Sequence, residues 1–322
     1  MKIMVIGAGV IGSYLCHVLC ENGHEVIVLA RGVRKEELEK KGLVLRHYLQ
    51  HKRTVDYPRV TGRLDREEAF DAVFAVMQYQ QMKEILPDLA GCLCPLVVLV
   101  GNNMEAPQME EYIRRHSPMP KKIVFAFQPT GGRRESGEVI CVRFGIAHLS
   151  CGFLHSMPDE ETKAVLARIF TGKYQPAYVP DMDGWYKSHL AFILPICYIC
   201  YTLDCDLTKI RGKQLGLVMD AAGEGYAMLA ALGCPVLPEG SEKAFAPGWK
   251  RRVSFLMLWV MSKTPLGRLA ASDHCKNAVG EMEVLDAAFG KLREECPGFS
   301  MQAWDWLRSE FPGWEELRRE LQ

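Results

Sequence analysis

The sequence predicts an α/β domain with a doubly wound, mostly parallel sheet, followed by an all-helical C-terminal domain. A glycine-rich turn, Gly7–Gly12, directly follows a short apolar run, Lys2–Ile6. Over the first half of the chain, apolar runs alternate with helix-like segments, which is typical of a parallel sheet. From Trp185 onward the spacing of apolar residues is helical. We therefore predict two domains, residues 1–178 and residues 179–322.

Runs of strand length are expected to form the parallel sheet because segments with helical spacing lie between them. These runs are Lys2–Ile6, Glu25–Leu29, Ala72–Met77, Leu96–Val100 and Ile123–Phe127. A β-hairpin formed by Glu138–Arg143 and Gly145–Leu149 is expected at the sheet edge, and Pro176–Gly184 reads as a linker or the entry of the first helix of the second domain. The helices predicted beyond it are 185–203, 206–232, 248–262, 265–294 and 301–309.

The spacing of the glycine turn is that of a dinucleotide-binding Rossmann fold. Gly7 permits a tight bend after the strand, and Gly9 lets the backbone approach a pyrophosphate without a Cβ in the way. Gly12 permits close packing of the helix on the sheet, and the helix N-terminus at Val10 and Ile11 offers free N–H groups to the phosphates. The alternative is a structural turn in an ordinary α/β domain. The flanking strand, helix and second strand favour the dinucleotide site.

The residue that follows the second strand indicates which dinucleotide binds. NAD sites usually carry an acidic residue there, which accepts a hydrogen bond from the ribose 2′-hydroxyl. This chain has Arg31, with Arg34 and Lys35 close behind. A guanidinium binds a 2′-phosphate through charge-assisted, bidentate hydrogen bonds. We therefore expect NADP (NADPH), and the alternative is that Arg31 is a solvated surface charge.

Composition excludes several classes of function. The formal net charge is zero, so no bulk attraction to nucleic acid or to anionic membranes is expected. The longest apolar run, Leu190–Leu203, contains Pro195 and is too short to span a bilayer. No signal peptide is expected, and the twelve scattered cysteines do not resemble a disulfide framework. A reducing, cytoplasmic location is therefore expected.

Several motifs together resemble the 2-dehydropantoate 2-reductase (ketopantoate reductase) family. They are the turn Gly7–Gly12, Ala30–Arg31, the strand ending Val98–Asn103, the segment Trp185–Lys187 and the late helix Glu281–Asp286. The resemblance covers most of the chain, and the first motif matches most closely. It implies an NADPH-dependent oxidoreductase of pantothenate biosynthesis with a small-molecule 2-oxo acid substrate. It also implies that the helical domains pair into a homodimer.

The resemblance also implies roles for individual residues. Hydride transfer to a carbonyl carbon builds negative charge on the carbonyl oxygen, which a cationic proton donor stabilises. Lys187 is expected to be that donor and Glu281 its catalytic partner. Asn102 is expected near the nicotinamide ribose or the substrate. The alternative is that Lys187 is an ordinary surface lysine.

A polar stripe late in the chain is a second candidate for substrate contact. His274, Asn277 and Glu281 stand at i, i+3 and i+7, which places them on one face of a helix. We expect His274 and Asn277 to line the substrate site, and the alternative is a solvated helix face. No metal site is expected, because one histidine and one carboxylate are too few good ligands.

Three positions depart from the family pattern. The two asparagines expected four and eight residues after the catalytic lysine are Ala191 and Pro195, which removes substrate-side hydrogen bonds. A lysine expected near the cofactor phosphate is Gln78, which we still assign to the cofactor site. Ketopantoate is therefore the default substrate, and two alternatives stay open: another, more apolar 2-oxo acid, or a non-catalytic NADP-binding sensor.

Overall fold

The computed structural model describes residues 1–143 and 147–321 and, of Tyr79, only the backbone. Two compact units are formed, Met1–Met182 and Asp183–Gln322. The strands of the first unit are β1 Lys2–Ile6, β2 Glu25–Leu29, β3 Leu43–His47, β4 Lys52–Asp56, β5 Arg59–Thr61, β6 Ala72–Val76, β7 Leu96–Val100, β8 Lys122–Phe127, β9 Gly131–Glu135, β10 Glu138–Val142, β11 His148–Gly152 and β12 Gln175–Tyr178. Its helices are α1 Val10–Glu21, α2 Gly32–Lys41, α3 Tyr79–Gly91, α4 Ala106–His116 and α5 Glu160–Ile169.

The main sheet is doubly wound and mostly parallel, as the sequence predicts. In the described part of the chain its strand order is β12-β11-β8-β7-β6-β1-β2-β5. β1 pairs in parallel with β2 on one side and with β6 on the other. β5, β7 and β8 continue the parallel pairing, whereas β11 is antiparallel to β8. The strand order reverses at β1, and open α/β sheets bind ligands beyond the carboxyl ends of the strands at such a point.

Burial on both faces explains why these strands were visible in the sequence. Every residue of β6 (Ala72–Val76) and of β7 (Leu96–Val100) is buried. A parallel sheet covered by helices on both sides needs continuous apolar runs rather than alternation. Helix α1 supplies part of that cover, with a buried stretch from Gly12 to Leu19.

A second sheet was not expected, and it corrects the predicted β-hairpin. β10 pairs antiparallel with β9 and parallel with β3, and β3 pairs antiparallel with β4. The segment Glu138–Arg143 therefore belongs to a sheet of order β4-β3-β10-β9. β11, in contrast, pairs with β8 in the main sheet. The two halves of the predicted hairpin thus lie in different sheets, and residues 144–146 of it fall outside the described residues.

The second unit is helical. Its helices are α6 Met182–Thr202, α7 Gly212–Ala231, α8 Trp249–Ser262, α9 Pro265–Gly267, α10 Asp273–Asn277, α11 Val279–Glu294, α12 Gln302–Glu310 and α13 Trp314–Leu321. The predicted helix 265–294 is interrupted by a π-turn at Arg268–Ser272 and again at Ala278, whose φ of −131° is not helical. None of the described helices combines the length and the apolar character needed to cross a membrane.

A buried carboxylate holds the core of the second unit together. Asp286 is 4% exposed and accepts hydrogen bonds from the Tyr198 hydroxyl, from Arg308 Nη2 at 3.1 Å and from Trp314 Nε1 at 2.8 Å. These donors come from α6, α12 and α13, and the carboxylate comes from α11. A buried charge with this many donors is stabilised rather than left unpaired. The network therefore fixes four helices relative to one another.

The cysteines behave as small core residues. All twelve lie in the described residues and are free, and eight of them are buried. Burial raises the pKa of Cys151 to about 12, so its thiol stays protonated at neutral pH. Free buried thiols of this kind pack as weakly polar hydrophobes.

We predict that stability falls with acid because of His47. This side chain is 3% exposed, its Nε2 lies 2.9 Å from Thr54 Oγ1, and its ring lies 5.0 Å from that of His17. Burial, with a contribution from His17, lowers the pKa of His47 to about 4. Because the folded pKa lies below the ordinary value of about 6.5, the contribution is complete above that pH and is lost as pH falls toward 4. The loss reaches about 3 kcal/mol.

The measurement is the free energy of urea unfolding between pH 7.5 and 4.5. The His47→Gln variant is the control, since its amide stays neutral and retains a donor for Thr54. We expect a shallower pH dependence for the variant than for the wild type. Identical slopes would show that His47 does not carry the effect.

Candidate functional site

The glycine turn after β1 is built from backbone contacts that exclude side chains. Gly7 has φ of +102°, and a Cβ there would lie 2.1 Å from the Val76 carbonyl oxygen. A Cβ on Gly12 would lie 1.9 Å from the Gly7 carbonyl oxygen. Both distances are impossible, so these two glycines serve the fold itself. A Cβ on Gly9, in contrast, would meet no atom within 4 Å.

The open space at Gly9 lies at the N-terminus of α1. Gly9 is the N-cap residue, and no side chain caps this helix end. Ser13 N already bonds to the Gly9 carbonyl oxygen at 3.0 Å. The N–H groups of Val10, Ile11 and Gly12 come before that first intrahelical bond and have no place in the helix ladder. Open space, free donors and the positive end of the helix dipole are the features that favour anion binding at a helix N-terminus.

Arg34 has a different role from the one that its position in the sequence suggested. Its side chain is buried, and its Nε donates to the Ala8 carbonyl oxygen at 3.1 Å. Nη2 donates to Ser13 Oγ at 3.1 Å, and Nη1 donates to the Gly137 carbonyl oxygen at 2.9 Å and to Glu37. One guanidinium therefore ties α2 to the glycine turn, to α1 and to the β9–β10 turn. It is occupied within the fold and is not available to a phosphate.

Arg31 remains the exposed cation at the end of β2. It is the N-cap residue of α2, and its side chain makes no capping hydrogen bond to that helix. Lys35 lies one turn further on, and its Nζ is 3.6 Å from the exposed Glu39. Gly62 lies close to the same lysine, because a Cβ built on Gly62 would be 4.0 Å from Lys35 Nζ. This corner of the site presents positive charge to solvent, as a 2′-phosphate requires.

Two polar side chains follow the next strands along the same edge of the sheet. Gln78 comes after β6 and is the N-cap residue of α3, where its Oε1 accepts a hydrogen bond from Gln80 Nε2 at 2.8 Å. Asn102 comes after β7 and is 6% exposed. Its Oδ1 is buried and accepts no hydrogen bond from the described residues. A buried amide oxygen without a donor carries a free-energy penalty, which a ligand hydroxyl or amide would relieve.

The second unit places Lys187 in the first turns of α6. Its Nζ donates to Asp183 Oδ2 at 2.6 Å, and each side chain is about one-fifth exposed. The two residues are one helical turn apart, so the helix itself sets their contact. A neighbouring carboxylate favours the protonated form of an amine. Lys187 therefore contacts a carboxylate in a partly buried position.

A histidine–carboxylate pair forms around the break between α10 and α11. Glu281 is 4% exposed, and its Oε2 lies 3.8 Å from His274 Nε2. Burial, followed by the charge of nearby His274, lowers the pKa of His189 to about 3, so His189 is neutral. The Trp185 ring stacks on His189 at 5.0 Å and 16°. Asn277 is exposed and donates to the Asp273 carbonyl oxygen of its own helix.

The positions that depart from the family pattern are buried in helix packing. Ala191 is fully buried, and a Cβ built on Gly225 of α7 would lie 3.0 Å from the Ala191 Cβ. A ring carbon of Trp304 would lie 3.1 Å from the same built Cβ. Pro195, one turn further along α6, is also buried. This stretch of α6 therefore has buried apolar side chains where the family pattern has amides.

Sequence reasoning missed Asp183. Asp183 falls in a stretch that reads as a linker, yet its i, i+4 spacing to Lys187 was an available signal. His189 follows the tryptophan of the lysine motif by four residues, which is the spacing of a stacked pair on a helix. The sequence reasoning did not name Asp183 as a contact of Lys187 Nζ, and the partnership of Lys187 with Glu281 stays a prediction.

Comparison with family models finds one match in the N-terminal half of the chain. A family model described as "Ketopantoate reductase PanE/ApbA" matches residues 3–152. The matched residues make up just under half of the chain. The match to this family confirms the resemblance found in the sequence. No curated protein sequence matches the chain.

Solved structures of the ketopantoate reductase fold superimpose along the whole chain. A PanE/ApbA family ketopantoate reductase from Ralstonia eutropha JMP134 has a TM-score of 0.70 and 17% identity, covering 100% of both chains. A 2-dehydropantoate 2-reductase from Geobacter metallireducens GS-15 has a TM-score of 0.69 and 16% identity, covering 96% of this chain and 98% of that one. D-mandelate dehydrogenase, solved with NADH and anilino(oxo)acetate, has a TM-score of 0.72 and 15% identity, covering 100% and 99%. At these identities the similarity establishes the fold.

We predict opposite consequences for two glycines of the family turn. Gly9→Ala is expected to fold with nearly unchanged stability, because the new methyl group meets no protein atom. It should weaken dinucleotide binding at least tenfold, since the methyl group occupies the open space at the helix N-terminus. Gly12→Ala is expected to unfold the unit or lower its melting temperature strongly. Thermal melts and NADPH titration by fluorescence measure both effects, and a stable Gly12→Ala variant would contradict the packing argument.

Proposed function

We propose that the protein is an NADPH-dependent reductase of a 2-oxo acid, with 2-dehydropantoate to pantoate as the default reaction. The observation that carries the proposal is the Lys187–Asp183 pair at 2.6 Å, which holds an ammonium group where the family resemblance expects the proton donor. A protein that only sensed NADP would need no such donor. The match of residues 3–152 to the ketopantoate reductase family model supports the same reaction class.

The first unit is proposed to hold NADPH, which supplies a hydride when bound. The open space at Gly9 and the free N–H groups of α1 fit a pyrophosphate. Arg31 is proposed to bind the 2′-phosphate, with Lys35 adding positive charge. The unpaired Oδ1 of Asn102 fits a hydroxyl donor of the nicotinamide ribose or the substrate, and Gln78 is proposed to line the cofactor site.

The second unit is proposed to supply the proton. Lys187 donates to the carbonyl oxygen as negative charge develops on it. Asp183 keeps the amine protonated before the reaction, and Glu281 with His274 positions the substrate or the lysine. His189 stays neutral, so it can donate or accept a hydrogen bond at the substrate without adding charge.

A more apolar 2-oxo acid is a second candidate substrate. Ala191 and Pro195 replace the amides of the family pattern, and both are buried. A site that lacks those hydrogen bonds favours a less polar side chain over a hydroxylated one. The fold of D-mandelate dehydrogenase, solved with the 2-oxo acid anilino(oxo)acetate, supports this alternative. We place the reaction in the cytoplasm, where the buried thiols stay reduced.

We predict that Lys187→Ala lowers kcat by about 10²–10⁴-fold while the Kd for NADPH changes less than threefold. The assay is NADPH oxidation with ketopantoate beside phenylglyoxylate and branched-chain 2-oxo acids. Lys209→Ala, which removes another Asp-paired lysine in the same unit, is the control and should be silent. Turnover of phenylglyoxylate or the branched-chain acids without turnover of ketopantoate would favour the second candidate, a more apolar substrate. Wild-type inactivity toward the whole panel would overturn the reductase proposal.

We predict that Arg31→Asp weakens NADPH binding about 10–100-fold and leaves NADH binding within threefold, because the carboxylate repels the 2′-phosphate. Fluorescence titration with both dinucleotides measures the ratio. Lys40→Asp, an exposed basic residue of the same helix, is the control. An equal loss for both cofactors would show that Arg31 does not read the 2′-phosphate.

A further inference from the structure

A buried lysine and two buried cysteines form a polar cluster that the proposed reaction does not use. We call it the Cys92 cluster; it consists of Cys92, Cys94 and Lys121, which are 0%, 0% and 7% exposed. Cys92 directly follows α3, Cys94 comes shortly before β7, and Lys121 directly precedes β8. The cluster therefore lies at the amino ends of two neighbouring parallel strands. Arg31 and Asn102, in contrast, follow the carboxyl ends of their strands, so the cluster is separate from the candidate cofactor site.

A tight turn brings the two thiols of the cluster together. The Cys94 N–H donates to the Cys92 carbonyl oxygen at 3.1 Å, which closes a γ-turn around Leu93. The Leu93 carbonyl oxygen accepts a hydrogen bond from the Phe70 N–H at 2.9 Å, which holds the turn against a neighbouring segment. Such a turn sets the first and third Cα atoms about 5.5 Å apart, within the range that a disulfide spans. The two thiols also hydrogen-bond to each other.

Lys121 brings a positive charge to the first of these thiols. Its Nζ donates to the Cys92 carbonyl oxygen at 2.5 Å and to the Cys94 carbonyl oxygen at 3.0 Å. The same Nζ lies 3.8 Å from Cys92 Sγ. A buried cation needs a compensating anion or a full set of hydrogen bonds. In the part of the chain that the structure describes, these contacts make the Cys92 thiolate the anion that balances Lys121.

The surroundings favour ionisation of Cys92 over ionisation of Cys94. The hydrogen bond with Cys94, together with the charge of Lys121, lowers the pKa of Cys92, although burial opposes the change. The same hydrogen bond, followed by burial, raises the pKa of Cys94. A thiolate beside a protonated thiol is the arrangement of a redox-active dithiol, because the thiolate is the nucleophile and the second sulfur completes the disulfide.

We propose that Cys92 and Cys94 form a redox-active dithiol, which a hydroperoxide oxidises to an intrachain disulfide. The Cys92 thiolate attacks one peroxide oxygen, the O–O bond breaks, and the alkoxide leaves and takes a proton from solvent. Cys92 is then a sulfenic acid. The Cys94 sulfur attacks the Cys92 sulfur, the S–O bond breaks, and the hydroxyl group leaves as water with the Cys94 proton. Two thiols and one hydroperoxide thus give one disulfide, one alcohol and one water.

A second thiol pair in the same chain provides an internal comparison. Cys275 Sγ lies 3.5 Å from Cys197 Sγ, and both side chains are buried in the second unit. The hydrogen bond with Cys197, together with burial, raises the pKa of Cys275. If proximity alone decided reactivity, this pair would be oxidised as readily as the Cys92 cluster. Activation of a thiolate predicts instead that Cys92 and Cys94 react first.

The test is oxidation of the full-length protein by hydrogen peroxide, with the disulfides mapped over time by mass spectrometry. We expect the Cys92–Cys94 disulfide to form at least about tenfold faster than a Cys197–Cys275 disulfide, because only a thiolate attacks peroxide efficiently. Dithiothreitol should reverse the bond. Such reversibility is typical of thiols that are oxidised transiently in a reducing compartment.

Three variants separate the roles within the cluster. Cys94→Ser should stop the reaction at the Cys92 sulfenic acid, which dimedone traps. Lys121→Gln keeps a donor for the backbone carbonyl oxygens but removes the charge, and it should slow oxidation at least about fivefold. Lys122→Gln is the matched control, since this neighbouring lysine pairs with Asp159 at the surface, and it should leave the rate unchanged.

Ionisation of Cys92 is measured without a reagent in the core, from the ultraviolet absorbance of the thiolate as a function of pH. The wild type should show a step that Cys92→Ser lacks and that Lys121→Gln moves to higher pH. Circular dichroism shows whether each variant is folded, and the peptide mapping of the wild type decides the proposal even where a variant does not fold. Earlier oxidation of Cys197 and Cys275, or an unoxidised Cys92, would overturn the proposal. These readouts depend on neither NADPH binding nor turnover.

Discussion

The N-terminal unit depends on a backbone contact that only glycine permits. Helix α1 begins so close to β1 and β6 that a methyl group on Gly12 would collide with the Gly7 carbonyl, and one on Gly7 with Val76. Because α1 sits this deep, its positive end lies at the edge where the parallel strands finish. Arg31, which follows β2, and Asn102, which follows β7, reach the same edge. The site is therefore a consequence of how closely one helix approaches its sheet.

Two arginines, three residues apart in the sequence, have different roles at that edge of the sheet. Arg34 is buried, and its guanidinium donates hydrogen bonds to the Ala8 and Gly137 carbonyl groups and to Ser13. Arg31 is exposed and opens the helix that Arg34 anchors. The buried arginine fixes the shape of the turn, and the exposed one is the residue that we propose binds the 2′-phosphate. The same residue type thus serves the rigid scaffold at one position and the candidate site at another, about one helical turn away.

The sequence was informative where one physical requirement dominates. β6 and β7 must be apolar throughout because helices cover both faces, so the parallel sheet was predictable. β4, with the sequence Lys52–Asp56, is exposed or half-buried along its length and has no such pattern, so the second sheet was not. The break at Ala278 was hidden because the nearest glycine, Gly280, lies two residues beyond it, inside α11. Asp183 was missed because local composition suggested a linker, whereas its role comes from the helix that begins one residue earlier.

The buried free cysteines have a consequence for how the two units can be studied. Cys16, Cys141 and Cys151 lie inside the first unit, and Cys197 and Cys275 lie inside the second. A thiol sealed in a core reacts with an external reagent only when its surroundings open, and the rate reports the free energy of that opening. The chain thus contains natural probes in both cores. Local opening of each unit can therefore be followed separately in the unmodified protein.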